Sequence, residues 1–180
     1  MIHGEPLAAD YRAPNGWLAN ACRYLYGEKA GNAIFRYQLL RSPSGCFPLN
    51  ILYYEFRLRR KLLRIMDNPA TDRQAEIVHW LETQEVTRQG LKLIQDALKA
   101  SPKNGMSIAS RKELEHQQEC LKIGILLAQV ALTFFRRQKA KYPTALRKYA
   151  AAARRMPHNF IAPEEGDDAQ RYIEPLLQRL

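Results

Sequence analysis

A chain of 180 residues is long enough for one domain with a real hydrophobic core. With 46% hydrophobic and 26% charged residues, its composition excludes a disordered chain. A net charge of +10, from 28 Lys and Arg against 18 Asp and Glu, favours an anionic partner: nucleic acid, anionic lipid or an acidic protein surface.

Of the cations 18 are Arg, whose planar fork grips phosphate or carboxylate. The three cysteines, Cys22, Cys46 and Cys120, are odd in number and widely spaced, with no CxxC pair. That argues against a disulfide framework and a zinc site and predicts a reducing, cytoplasmic setting. Met1 to Pro14 carries Glu5 and Asp10 and no apolar core, so it does not read as a secretory signal.

In chain order, the pattern predicts a short helix over Trp17–Tyr26, closed by Gly27. A second follows over Glu28–Arg41, with Ala30, Ala33, Ile34, Tyr37 and Leu40 recurring at three and four. Ser42 to Gly45 reads as a loop, where Ser42 and Ser44 form turns rather than act as nucleophiles. A third helix is expected over about Phe47 to Met66, with Ile51, Tyr54, Leu58, Leu62 and Ile65 inward. A fourth is expected over about Thr71 to Ala100, with Ile77, Leu81, Leu91, Ile94 and Leu98 inward.

Ser101 to Gly105 breaks the pattern. Ser110-x-x-Glu113 reads as a capping box opening a long fifth helix that Pro143 ends near Tyr142. Its centre, Cys120 to Phe135, is apolar on nearly every side, with Leu121, Ile125, Ala128, Leu132 and Phe135 at 4-3-4-3 spacing. Lys122, Gln129 and Thr133 interrupt it, leaving an apolar run too short for a span of about 20 residues; a buried core helix is expected, with Cys120 in the core and no transmembrane segment. A sixth helix is expected over about Thr144 to Met156. The fold predicted is all-α: an antiparallel bundle of about five to seven helices around a long apolar central helix. Residues 1–156 form the bundle domain; 157–180 hold a linker, the acidic block Glu164 to Asp168 and a short C-terminal helix.

Two Glu-x-x-His pairs, Glu76/His79 and Glu113/His116, have the spacing of carboxylate-bridged metal ligands. Each opens its own helix, and antiparallel packing would hold the pairs roughly 30 Å apart, so no metal is expected. His3 and His158 have no evident partner. No hydrolase elbow, phosphate loop or dinucleotide glycine pattern is present, and neither catalytic residues nor a cofactor are expected.

The cations are more informative. Arg57, Arg60, Lys61 and Arg64 share one helix face, opposite Leu58, Leu62 and Ile65. From Cys120 to Pro163 there are nine basic residues and no acidic one. Arg136, Arg137, Lys139 and Lys141 close the fifth helix, where cations also complement the helix dipole. Arg147 and Lys148 recur seven residues on as Arg154 and Arg155, one basic face opposite Leu146, Tyr149, Ala150, Ala153 and Met156. Two such pairs, about 10 Å apart along a helix, reach neighbouring phosphates. No base-reading motif is present.

The expected function is therefore a non-enzymatic helical protein that binds DNA or RNA through its phosphates, as a subunit of a larger complex. The alternative is a helical interaction module, a secreted effector or a mobile-element accessory factor, with an acidic protein partner. The acidic block is also placed to fold back on the basic helix. Followed by Leu176, Leu177 and Leu180, it resembles the C-terminal translocation signals of bacterial type IV secretion effectors. That resemblance implies export, with the interaction module itself as the effector.

Overall fold

A computed structural model describes residues 13–41, 62, 64–101 and 106–155. Every regular element among them is an α-helix, and no strand occurs among them. The fold is an all-α bundle, as the periodicity predicts. Five helices are described: α1 (Trp17–Tyr26), α2 (Glu28–Arg41), α3 (Arg73–Ala100), α4 (Ile108–Phe135) and α5 (Tyr142–Arg154). The expected third helix lies outside the described residues except at its end, where Leu62 and residues 64–66 are helical and Leu62 is buried. The Ser42 to Gly45 loop, Cys46, His3, His158 and residues 157–180 also lie outside them.

The chain divides into two compact units: residues 1–49 with 88–118, and residues 50–87 with 119–180. In the first unit, α1 and α2 form a corner joined by one residue. Gly27 takes φ 82, and its N–H bonds the Arg23 carbonyl at 2.8 Å. This is the left-handed conformation that only glycine adopts cheaply. The helices then touch backbone to backbone at Gly31, where a Cβ would fall 2.5 Å from the Arg23 Cα. Arg23 ties the corner together, donating to Asn32 Oδ1 and Asn20 Oδ1, each at 3.0 Å, and to the Pro14 carbonyl. Leu18, Ala19, Cys22, Ala30, Ile34 and Tyr37 are buried. Burial pushes the Cys22 thiol up to about 11, against the pull of Arg23. Tyr26 rises to about 12 through burial first, then the charges of Glu113 and Cys22.

Within each unit, one half of α3 runs antiparallel to one half of α4. At one end Arg73, the first residue of α3, donates to the carbonyl of Phe135, the last of α4, at 2.6 Å. At the other, Arg111 near the start of α4 donates to the Ser101 carbonyl beyond α3 at 2.9 Å. Each bond satisfies a carbonyl that its helix end leaves open. Between them, Gln84 Nε2 meets Gln129 Oε1 at 3.4 Å.

Three sequence expectations are corrected here. The buried stripe of α3 is Trp80, Thr83, Gln84, Thr87, Gly90, Ile94 and Ala97, whereas Leu81 is 40% exposed. Polar residues hide that stripe from a hydrophobic pattern; Thr87 Oγ1 donates to the Thr83 carbonyl at 2.6 Å. Trp80 is fully buried with its indole N–H on Glu76 Oε2 at 3.1 Å. Second, α4 starts at Ile108, and Ser107, not Ser110, caps it: Ser107 Oγ accepts the Ser110 N–H at 3.0 Å. Third, α4 stops at Phe135, seven residues before Tyr142.

From Cys120 onward α4 is buried on most of its circumference: Cys120, Leu121, Ile123, Leu127, Ala128, Val130, Ala131, Leu132 and Phe135. This is the central apolar helix the sequence predicts. By length and composition alone α4 is long and apolar enough to cross a membrane; 61% of its most apolar stretch is buried inside the protein.

Candidate nucleic-acid interface

The cations singled out in the sequence, so far as they are described, all belong to the second unit. Their placement begins with how α4 ends. The N–H of Arg137 bonds the Phe134 carbonyl and that of Gln138 bonds the Thr133 carbonyl, both at 2.9 Å. That pair of bonds is a Schellman cap, which turns the chain sharply through a left-handed residue. Glycine normally occupies that residue. Here it is Arg137, at φ 55, the one non-glycine with positive φ among the described residues. The turn continues with Lys139 N–H on the Arg137 carbonyl and Lys141 N–H on the Gln138 carbonyl, both at 2.9 Å. Pro143 then sits in the first turn of α5, where a missing N–H costs nothing.

This loop displays Arg136, Arg137, Lys139 and Lys141, all exposed. Helix α5 continues the display. Ala145, Leu146, Tyr149, Ala150 and Ala153 are buried, with Leu146 and Tyr149 at 0% exposure. Arg147, Lys148, Ala151, Arg154 and Arg155 are exposed on the other side. The burial of one face therefore fixes the direction of the other. Arg64 is exposed too. Arg57, Arg60 and Lys61 lie outside the described residues, as does Met156.

Among the described residues, ion pairs join Arg23 to Glu28, Arg111 to Glu115 and Lys122 to Glu119. None of Arg64, Arg136, Arg137, Lys139, Lys141, Arg147, Lys148 or Arg155 pairs with a described carboxylate.

Next to the loop lies a cavity of about 620 Å³. Ile65 and Met66 line it together with Arg137, Lys139 and Tyr142, so the segment carrying Arg64 comes beside the Arg136–Lys141 loop. Two aromatic rings, Phe134 and Tyr142, stand 5.9 Å apart at its wall. Sequence reasoning missed this cavity and the part taken in it by Arg73. The available signal was the run of cations flanked by Phe134, Phe135 and Tyr142.

The Glu-x-x-His pairs fall in different units. Glu76 is engaged by Trp80, and Glu113 Oε1 accepts from Gln117 Nε2 at 3.0 Å. Burial lowers the pKa of His116, against the opposing pull of Glu113. No group of three or more metal-ligating side chains occurs among the described residues.

The fold defines the class, an all-α helical bundle. No family model, no curated protein and no solved structure matches this chain.

Proposed function

We propose that this protein binds nucleic acid through phosphate contacts made by the Arg136–Lys141 loop and the exposed face of α5, without catalysis, as a subunit of a larger complex in the cytoplasm. One observation carries the reading: Arg147, Lys148, Arg154 and Arg155 are exposed along a helix whose opposite face is buried in the protein's own core. The burial of Leu146 and Tyr149 holds that face outward. Holding these like charges together in one unit costs free energy through their mutual repulsion. A polyanion offsets that cost and releases its own counterions. The exposed Ala151 between the two basic pairs lets a sugar–phosphate backbone approach closely.

A filter-binding titration against DNA and RNA at several salt concentrations tests this. Affinity should fall steeply with salt. Replacing Arg147, Lys148, Arg154 and Arg155 with Ala should flatten the slope of log K against log salt by about 3 and weaken all sequences alike. No binding at low salt, or binding indifferent to salt, would sink the reading. A stoichiometric acidic protein, captured through the same four cations and resistant to nuclease, would favour the interaction-module alternative.

A further inference from the structure

The phosphate reading uses cations on the surface and leaves the cavity beside the Arg136–Lys141 loop unexplained. Its volume, about 620 Å³, lies within the range of pockets that hold small organic ligands. Every residue lining it belongs to the second unit. Three cations, Arg73, Arg137 and Lys139, line it, and no Asp or Glu among the described residues does. None of the three pairs with a described carboxylate. The bond from Arg73 to the neutral Phe135 carbonyl holds that guanidinium in place and leaves its charge uncompensated. Like charges gathered at a concave, partly apolar surface focus their field into it and draw an anion there.

The rest of the lining narrows the kind of anion. Ile65, Met66, Pro69 and Phe134 form an apolar wall. Phe134 is half-buried against the rings of Phe135 and Tyr142, so the wall offers a ligand plain apolar contact. Most neutral polar groups are already committed. Thr71 Oγ1 donates to the Ile65 carbonyl at 2.9 Å, Asn68 Oδ1 accepts the Ala70 N–H at 3.0 Å, and Thr133 Oγ1 donates to the Val130 carbonyl at 2.8 Å. What remains for a ligand is the apolar wall, the cations and the Gln138 amide. The loop that supplies two of the cations is also preformed. The N–H groups of Arg137, Gln138, Lys139 and Lys141 each make a backbone bond of 2.9 Å, so a ligand has little ordering cost to offset there.

We propose that this cavity is a binding site for a small, soluble organic anion: a single carboxylate or phosphate head on an apolar body. The head meets Arg137 and Lys139, with Arg73 adding to the field, and the body lies against the wall of Ile65, Met66, Pro69 and Phe134. A bare inorganic anion gains nothing from the wall, and a neutral apolar molecule gains nothing from the cations. The site therefore selects molecules that carry both parts. Such a ligand binds whether or not the exposed face of α5 meets nucleic acid.

Octanoate, octanol and inorganic phosphate, titrated separately onto the full chain at low salt, provide the test, read by the backbone amide shifts of an isotope-labelled sample. Octanoate should shift the amides of residues 65–73 and 133–142 and reach saturation. It should bind roughly 3- to 30-fold more tightly than octanol, the gain from two half-exposed ion pairs. Hydration alone predicts the opposite order, because a carboxylate loses more than a hydroxyl on leaving water. Inorganic phosphate should bind more weakly than octanoate. Arg137→Gln combined with Lys139→Gln should erase the advantage over octanol; both side chains are exposed, so the core is untouched. The comparison of the three ligands on the unaltered protein stands even if that variant fails to fold. Octanoate no tighter than octanol or phosphate overturns the proposal. So do shifts centred elsewhere, or an advantage that survives loss of both cations. If DNA or RNA binds in the filter assay and octanoate does not, the cavity proposal falls and phosphate binding stands; the reverse pattern leaves the cavity site alone standing.

Discussion

Replacing Arg137 with Gly should make the protein more stable and a poorer binder at once. Arg137 sits at φ 55 in the Schellman cap of α4, with both cap hydrogen bonds formed at 2.9 Å. A residue with a Cβ costs about 1–2 kcal/mol in this conformation. Glycine removes that cost and adds back about 0.4–1 kcal/mol through the greater freedom of its unfolded chain. The net gain is about 0.5–1 kcal/mol, because Arg137 is exposed and no buried packing is lost. For a chain of this size that raises Tm by roughly 2–3 °C. The same change removes one phosphate contact, so the salt slope should flatten by about 0.7–0.9 and affinity should fall. Arg137→Ala separates the two effects: alanine bears the same backbone cost as arginine, so it should lose affinity without gaining stability. Thermal unfolding by circular dichroism and salt-dependent binding read both quantities on all three proteins. A Tm for Arg137→Gly at or below that of the parent would refute the strain argument. Unchanged affinity in both variants would remove Arg137 from the interface.

Two glycines in helices should respond to alanine with opposite signs. At Gly31 a Cβ would land 2.5 Å from the Arg23 Cα and 2.6 Å from the Cys22 carbonyl oxygen, so α1 and α2 must part; a loss of about 1–3 kcal/mol is expected by urea unfolding. At Gly124 the nearest atom is Thr87 Cγ2 at 3.5 Å, an ordinary contact, so alanine should stabilise by about 0.5–1 kcal/mol in the same assay. His116 should make stability pH-dependent. Burial holds its folded pKa below the ordinary value, so the unfolded chain takes up the proton first. Stability should therefore be full at neutral pH and fall as pH drops below about 6.5. His116→Gln should flatten that acid limb between about pH 7 and 5 in thermal unfolding; an identical limb in both proteins would refute the assignment.

The parts of the fold legible in the sequence are those where local chemistry and burial agree. Trp17–Tyr26 and Glu28–Arg41 are bounded as the pattern predicts, because Gly27 is both the helix stop and the left-handed residue the corner requires. On α5, Leu146, Tyr149, Ala150 and Ala153 recur with helical period and are buried, so the exposure of Arg147, Lys148, Arg154 and Arg155 was readable too. Elsewhere burial and local chemistry diverge. Thr83, Gln84 and Thr87 are polar yet buried, which misdirects a search for apolar stripes along α3. The end of α4 uses an arginine at the left-handed position where glycine usually marks the turn, which leaves Pro143 as the visible stop although it lies inside α5. The cavity joins residues 65–73 to residues 133–143, a juxtaposition that only the folded chain makes.

The burial of α5 has a thermodynamic consequence. Many basic nucleic-acid-binding segments are unstructured until they meet their target and lose chain entropy on docking. Here Tyr149 and Leu146 anchor the helix in the free protein, so its charges are already in register. Folding, not binding, has borne the ordering cost. Docking onto phosphate would then show little of the large negative heat-capacity change that accompanies coupled folding, with counterion release as its main driving force.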